Sequence, residues 1–273
     1  TVTTIDDDEP ATGFTKSETT QTVTEAGGTD TFTLVLDAQP ATDVVLSVSS
    51  ADTGEVTVSA ATFTFTNSNW DTAQTVTLTG VDDSLIDGSV STAVTVSVVD
   101  ASSDDNFDAL ADQTVTVTTT DNDTAGFTKS ETTQTVTEAG GTDTFTLVLD
   151  AQPATDVVLS VVSADTGEVT VSAATFTFTS SNWDTAQTVT LTGIDDSVID
   201  ADTTTTVTVS VVDASSDDNF DSVADQTVTV TTTDNDTAGF TKSETTQTVT
   251  EAGGTDTFTL VLDAQPATDV VLS

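Results

Sequence analysis

The sequence predicts an all-β protein of two-sheet antiparallel sandwiches arranged in tandem, on three observations. Gly13-Phe14-Thr15-Lys16-Ser17-Glu18 returns at Gly126 and again at Gly239, a period of 113 residues. A unit of that length folds around its own core, whereas the short repeats of a solenoid must stack to bury anything. Within each period apolar residues alternate with threonine, the period-2 mark of half-buried strands. Helical periodicity is missing almost everywhere.

The strands follow in order. One lies around Val23, and the run 31–36 then puts Phe32, Leu34 and Leu36 on one face. Segments at Val44–Val48 and Val56–Val58 come next. Phe63 with Phe65, Val76 with Leu78, Val94 with Val96 and Val98, and Val115 with Val117 supply four more inward sets. That makes about eight short strands per copy, an all-β spacing. Gly27-Gly28, Gln39-Pro40, Asp52-Thr53-Gly54, Asn67-Ser68-Asn69 and Gly80 break them. The outward threonines are β-branched, so they favour strands while keeping the surface wet. The pattern is that of immunoglobulin-like sandwiches, set in series as a rod. Trp70 and Trp183, at matched positions, are expected to plug one end of each core.

The repeat places the boundaries. Residues 1–10 close a preceding repeat, 11–123 and 124–236 are complete sandwiches, and 237–273 open a partial third copy. Positions 13–123 and 126–236 differ at 11 of 111 places, and 239–273 matches 13–47 at all 35. In that third copy Phe240, Phe258, Leu260 and Leu262 lack their opposite sheet. Copies this similar leave little room for separate chemistries, so the repetition itself is the product.

Composition narrows the function. Three lysines stand against 46 acids, for a formal net charge of −43. Nucleic acid and anionic membrane are excluded as partners, because phosphate binding needs clustered Lys and Arg. With no Cys there is no disulfide framework, thiolate zinc site or redox centre. No apolar run approaches the ~20 residues of a membrane span, so direct membrane insertion is not expected. His, Tyr and Arg are also absent, which removes the usual nucleophile–base pairs and oxyanion or phosphate clamps. The chain is not read as an enzyme.

The acids cluster. One group is 82–87, with Asp82, Asp83 and Asp87. Another is Asp121-Asn122-Asp123. Glu25 follows a main strand, and Asp52 and Glu55 lie in the loop after the third. Loops of a sandwich converge at one end, and Ca²⁺ takes ~6–8 oxygen ligands, often from several carboxylates. Without a cation, each like-charge pair at ~4 Å costs about 1 kcal/mol in water and about 4 at a partly shielded site. Calcium ions are therefore the expected partner. A further acidic stretch, 100–108, is either a separate cation site or a polar loop pinned by Phe107.

Thr22-Val23-Thr24-Glu25 with its following glycine pair, Thr77-Leu78-Thr79-Gly80-Val81-Asp82-Asp83 with Asp87 four residues on, and the terminal triplet together resemble the Calx-β repeats. The resemblance covers the whole repeat and implies Ca²⁺ ligation by Glu25, Asp82, Asp83, Asp87, Asp121 and Asp123. In the second copy it implies Glu138, Asp195, Asp196, Asp200, Asp234 and Asp236. Asp52 and Glu55 rank as weaker candidates, because the loop is shorter than the family's. Asp202, where the first copy has Ser89, adds one carboxylate to the second site. Near-identical acidic copies also resemble the extender region of very large bacterial surface adhesins. The expected role is a calcium-braced extracellular spacer at the cell surface, its partners being calcium and neighbouring repeats of the same chain. The alternative is a subunit of a surface or matrix filament, completed by strands from identical chains.

Overall fold

The computed structural model describes residues 11–273, so the expected end of a preceding repeat at 1–10 lies outside them. Two compact units follow, one ending at Thr124 and the other running from Ala125 to Ser273. The first unit contains β1 (Phe14–Lys16), β2 (Thr20–Thr24), β3 (Thr29–Leu36), β4 (Val44–Ser50), β5 (Val56–Val58), β6 (Thr62–Phe65), β7 (Gln74–Gly80), β8 (Val90–Val98) and β9 (Gln113–Thr120). They form a four-stranded sheet, β1-β3-β7-β5, and a five-stranded sheet, β2-β9-β8-β4-β6. The second unit repeats both sheets with β10 (Phe127–Lys129), β11 (Thr133–Thr137), β12 (Thr142–Leu149), β13 (Val157–Ser163), β14 (Val169–Val171), β15 (Thr175–Phe178), β16 (Gln187–Gly193), β17 (Thr203–Val211) and β18 (Gln226–Thr233).

The alternation sets the layers. In β3 the odd face carries Thr29, Thr31, Thr33 and Val35, while Phe32, Leu34 and Leu36 are buried. They meet Leu46, Val48, Phe65, Val94, Val96, Val115 and Val117 of the other sheet in one core. Burying a side chain of this size contributes about 1.5–3 kcal/mol. Trp70 packs against that core, and its carbonyl accepts from the Leu36 N–H at 3.1 Å. Phe107 also lies in the core and pins the 100–108 stretch from below. Asp104 holds it from the side, accepting from the Ala41 and Thr42 N–H groups at 2.7 and 3.0 Å. These and further backbone donors lower its carboxyl below the ordinary range.

Two features depart from the pattern-based expectation. The strand β1 is additional, and one ladder, β2 with β9, is parallel. Both have one cause. After Lys16 the chain crosses from the first sheet to the second, with the Ser17 N–H donating to Thr33 and the Thr19 carbonyl accepting from Thr116. A strand that changes sheets without reversing arrives beside the last strand running the same way.

The third copy carries only β19 (Phe240–Lys242) and β20 (Leu260–Leu262), paired antiparallel from Phe240↔Leu262. Phe240, Phe258, Leu260 and Leu262 are among its exposed apolar side chains. No helix among the described residues is long and apolar enough to cross a membrane.

Candidate metal centre

The acids gather where β2 and β9 end side by side. Strands of a parallel pair leave the sheet at the same end, and the register Thr24↔Thr120 releases Glu25 and Asp121 there together. The Glu25 N–H still donates to the Thr120 carbonyl at 3.2 Å. The end of β7 arrives at the same place, its Gly80 N–H donating to the Gly28 carbonyl at 2.9 Å. A Cβ on residue 80 would stand 2.2 Å from the Thr24 carbonyl oxygen, so only glycine allows this approach. The Val81 N–H then donates to the Glu55 carbonyl at 2.9 Å, drawing in the loop after β4.

Glu25, Asp121 and Asp123 each place a carboxylate oxygen within 4.8 Å of the others, and Glu25 is 1 % exposed. Glu138, Asp234 and Asp236 repeat the arrangement. The loop path is held by the carboxylates themselves. Asp121 Oδ2 accepts from Gly88 N–H at 2.9 Å, its Oδ1 accepts from Asp123 N–H at 2.6 Å, and Asp83 Oδ1 accepts from Leu85 N–H at 2.7 Å.

The electrostatics are one-sided. Burial first, and then the charges of Asp121, Asp83 and Asp87, push the Glu25 carboxyl above its ordinary range against a backbone bond from Asn122. Asp123 is raised by burial and by Asp121, Asp82, Asp83 and Asp87. Asp87 is raised by burial, Asp83 and Asp121. In the second copy Glu138 and Asp236 are raised in the same way, by burial and the surrounding aspartates. The first copy's single basic residue is engaged elsewhere, Lys16 Nζ donating to the Glu18 carbonyl.

Buried oxygens without a donor complete the picture. Asp123 Oδ2 and Glu55 Oε2 are such atoms, and so are Asp236 Oδ2 and Glu168 Oε2. A buried carboxylate lacking both donor and counter-charge costs several kcal/mol. A hard divalent cation satisfies lone pairs and charge together. These donor sets, oxygen-only and anionic, fit Ca²⁺ and offer nothing to soft metals.

The sequence-based candidates divide by position. Glu25, Asp121 and Asp123 converge, as do Glu138, Asp234 and Asp236. The exposed Asp82, Asp83 and Asp87 border them and act through charge. Asp195 accepts from Asn235 Nδ2 at 3.1 Å. Asp202 is exposed, its Oδ1 accepting from the Asp234 N–H at 3.3 Å, and it belongs to neither close group. Asp196 and Asp200 converge instead with Glu168, which the sequence reading did not name, although it ranked the first-copy counterpart Glu55 as a weaker candidate. Glu55 is 8 % exposed, and burial followed by the charges of Asp87, Asp52 and Asp83 raises its carboxyl. Its signal was the recurrence of Asp-Thr-Gly-Glu in both copies, at 52–55 and 165–168.

No protein-family model matches the chain, and no curated protein matches it. Among solved structures it is similar to the calcium binding domain CBD12 of CALX1.1, at 14 % identity and TM-score 0.33, over 72 % of this chain and 79 % of that one. CBD12 from CALX1.2 gives 12 % identity and TM-score 0.31 over the same shares. Domains 4 and 5 of the S-layer protein SbsC give 17 % identity and TM-score 0.35, over 82 % of this chain and 98 % of that one. The sandwich assignment rests on the strand ladders of this chain.

Proposed function

We propose that these sandwiches are calcium-stabilised extender repeats of an extracellular surface adhesin, holding a distal binding domain away from the cell. The observation that carries the reading is the recurrence of buried carboxylate oxygens without a donor, Glu55 Oε2 and Asp123 Oδ2 in one complete copy and Glu168 Oε2 and Asp236 Oδ2 in the other, at the same end of each. Glu25, Asp121 and Asp123 would hold the ion with Asp83, Asp87 and Glu55 at hand, and Glu138, Asp234, Asp236, Asp196, Asp200 and Glu168 are their counterparts. Asp82, Asp195 and Asp202 supply charge at the rim. The bound ion cancels mutual repulsion and ties the C-terminal end of β9 to the loops after β4 and β7.

The mechanical consequence follows from position along the chain. Asp123 is separated from Gly126 of the next copy by Thr124 and Ala125 alone. An ion that immobilises 121–123 therefore stiffens the connection, and its removal frees it. Modules in extracellular settings commonly bind at ~10⁻⁴–10⁻³ M, which suffices there. With no imidazole, thiol, phenol or guanidinium in the chain, a structural role suits the chemistry on offer.

Small-angle scattering and thermal melting of the chain in millimolar Ca²⁺ and then in chelator test the proposal. The expected result is a longer maximum dimension and a higher melting temperature with calcium. Identical dimensions and melting in both buffers overturn it.

A further inference from the structure

The loop joining β16 to β17 carries an apolar pair, Val198 and Ile199, between Asp196 and Asp200. Both side chains are half-buried although the aspartates around them are exposed. The third copy meets this pair. Val198 forms an isolated parallel bridge with Gln265. The Gln265 N–H donates to the Ser197 carbonyl at 2.6 Å, and the Ile199 N–H donates to the Gln265 carbonyl at 3.3 Å. Ile199 stands beside Ala264 and Pro266 at the edge of the third copy's open apolar face, whose first-copy equivalents, Phe14, Leu36 and Ala38 among them, are core residues.

The third copy shows why this seat is more than local folding. Phe240, Leu260 and Leu262 are 51, 44 and 37 % exposed, yet Ala264 is 9 % exposed. The equivalent Ala38 of the first copy is buried in that copy's own two-sheet core. Among the described residues the third copy has only a two-stranded sheet, and Ile199 of the second copy stands beside Ala264 along with the third copy's own Phe240, Leu262 and Pro266.

We propose that Val198 and Ile199 are a docking key by which one copy seats on the next, with the segment 264–266 of the following copy as its lock. Backbone pairing fixes the register of the contact, since a strand-like bridge accepts only one alignment. The apolar contact of Ile199 with Ala264 and Pro266 adds attraction, because removing these side chains from water is favourable whatever the charge state around them. Acidic copies that repel one another through solvent thereby gain an attachment that is not electrostatic. The key deepens the spacer reading and rests on it for its purpose, but it requires no ion.

Amide hydrogen exchange on the full chain, resolved by NMR with saturating Ca²⁺, reads the contact directly. In the wild-type chain the Gln265 and Ile199 amides are expected to exchange at least about tenfold more slowly than unstructured amides. Ile199→Asp and, from the other side, Ala264→Asp should each return both amides to the free rate. Ile199→Leu should keep them slow. Slow exchange at Val207 and Val209 in every variant shows that the second sandwich remains folded. Free exchange at Gln265 in the wild type, or protection that survives both Asp variants, overturns the docking key. A wild-type chain that binds no Ca²⁺ but protects Gln265 would sink the cation reading and leave the key standing.

Discussion

Residues 81–91 of the first copy and 194–204 of the second span the same gap with different sequences. Seven of the 11 differences between the copies fall within 81–93. The scaffold around the two loops does not change. Glu25 and Glu138 are equally buried, and the Gly88 and Ala201 N–H groups donate to Asp121 Oδ2 and Asp234 Oδ2 at 2.9 and 3.0 Å. What changes is how tightly the acids close. In the second copy Glu168, Asp196 and Asp200 bring their oxygens within 4.8 Å, and Asp202 and Asp195 add bonds to residues 234 and 235. Among the described residues the first-copy equivalents, Glu55, Asp83 and Asp87, do not form such a group. The lesson is that backbone N–H groups held by Asp121 and Asp234 set the path of the loop, and the loop's own side chains set the density of charge.

The largest effect expected is from calcium itself. Ligand at ~100 times its dissociation constant stabilises a fold by about 2.7 kcal/mol per site, roughly 10 °C for a domain of this size. Glu25→Gln and Glu138→Gln should each remove most of that gain from their own copy and raise stability in chelator, where a buried charge has gone. Hydrogen exchange in peptides covering 81–91 and 194–204 distinguishes the copies. Loss of calcium protection in both copies from either single variant would break the comparison.

The effect of pH should be next in size and should change sign with metal. Glu25, Glu55, Asp87 and Asp123 have raised carboxyls, as do Glu138, Glu168 and Asp236. The folded chain thus holds protons that the unfolded chain has released. Their stabilisation is full below the ordinary carboxylate range and is lost as pH rises through the raised values. In chelator the melting temperature should therefore fall between pH 5 and pH 7. In calcium, which competes with those protons, it should rise over the same interval. A melting curve that does not depend on pH in chelator would remove the electrostatic argument for both sites.

Backbone strain gives a smaller contrast. Gly88 has φ 72°, and Ala201 holds the same left-handed position at φ 66°. A non-glycine residue there costs about 1–2 kcal/mol, partly offset because alanine has less freedom to lose on folding. Ala201→Gly should stabilise the second copy by about 0.5 kcal/mol. Gly88→Ala should destabilise the first by a similar amount, since a Cβ at 88 meets nothing within 4 Å. Denaturant melts of the two variants check the pair, and shifts of the same sign would contradict it.

The smallest effect is expected at Asp202. It caps the Asp234 N–H from an exposed position, where a charge interaction is worth up to about 1 kcal/mol. Asp202→Ser should weaken calcium binding in the second copy about threefold and leave the number of ions unchanged. Titration calorimetry measures both, and a lost ion would make Asp202 a ligand in its own right.

Much of the site was legible because its parts sit at strand ends with strong local patterns. Glu25 follows Thr-Val-Thr and precedes two glycines, and 121–123 follows a run of alternating Val and Thr. Glu55 was harder to read. Its place beside the acidic cluster comes from a contact across the sandwich, the Val81 N–H on its carbonyl, and from burial near the charges of Asp87, Asp52 and Asp83. Neither is visible in the loop itself.

The sequence alone determined the repeat, the inward and outward faces of each strand, the anionic surface and the ends where acids collect. Those properties follow from composition and from alternation, which are local. Pairing is not local, and residues 13–47 and 239–273 show the difference because they are identical. In the first copy that stretch forms β1, β2, β3 and the start of β4, with Val23 2 % exposed. In the third it forms only β19 and β20, with Val249 63 % exposed. The eight-residue β3 is held along one edge by β7, and β2 by β9, and both partners come from residues beyond position 47. Thirty-five residues can specify which side chains face inward, but only strands distant in sequence supply the hydrogen bonds and the opposite sheet that make an inside.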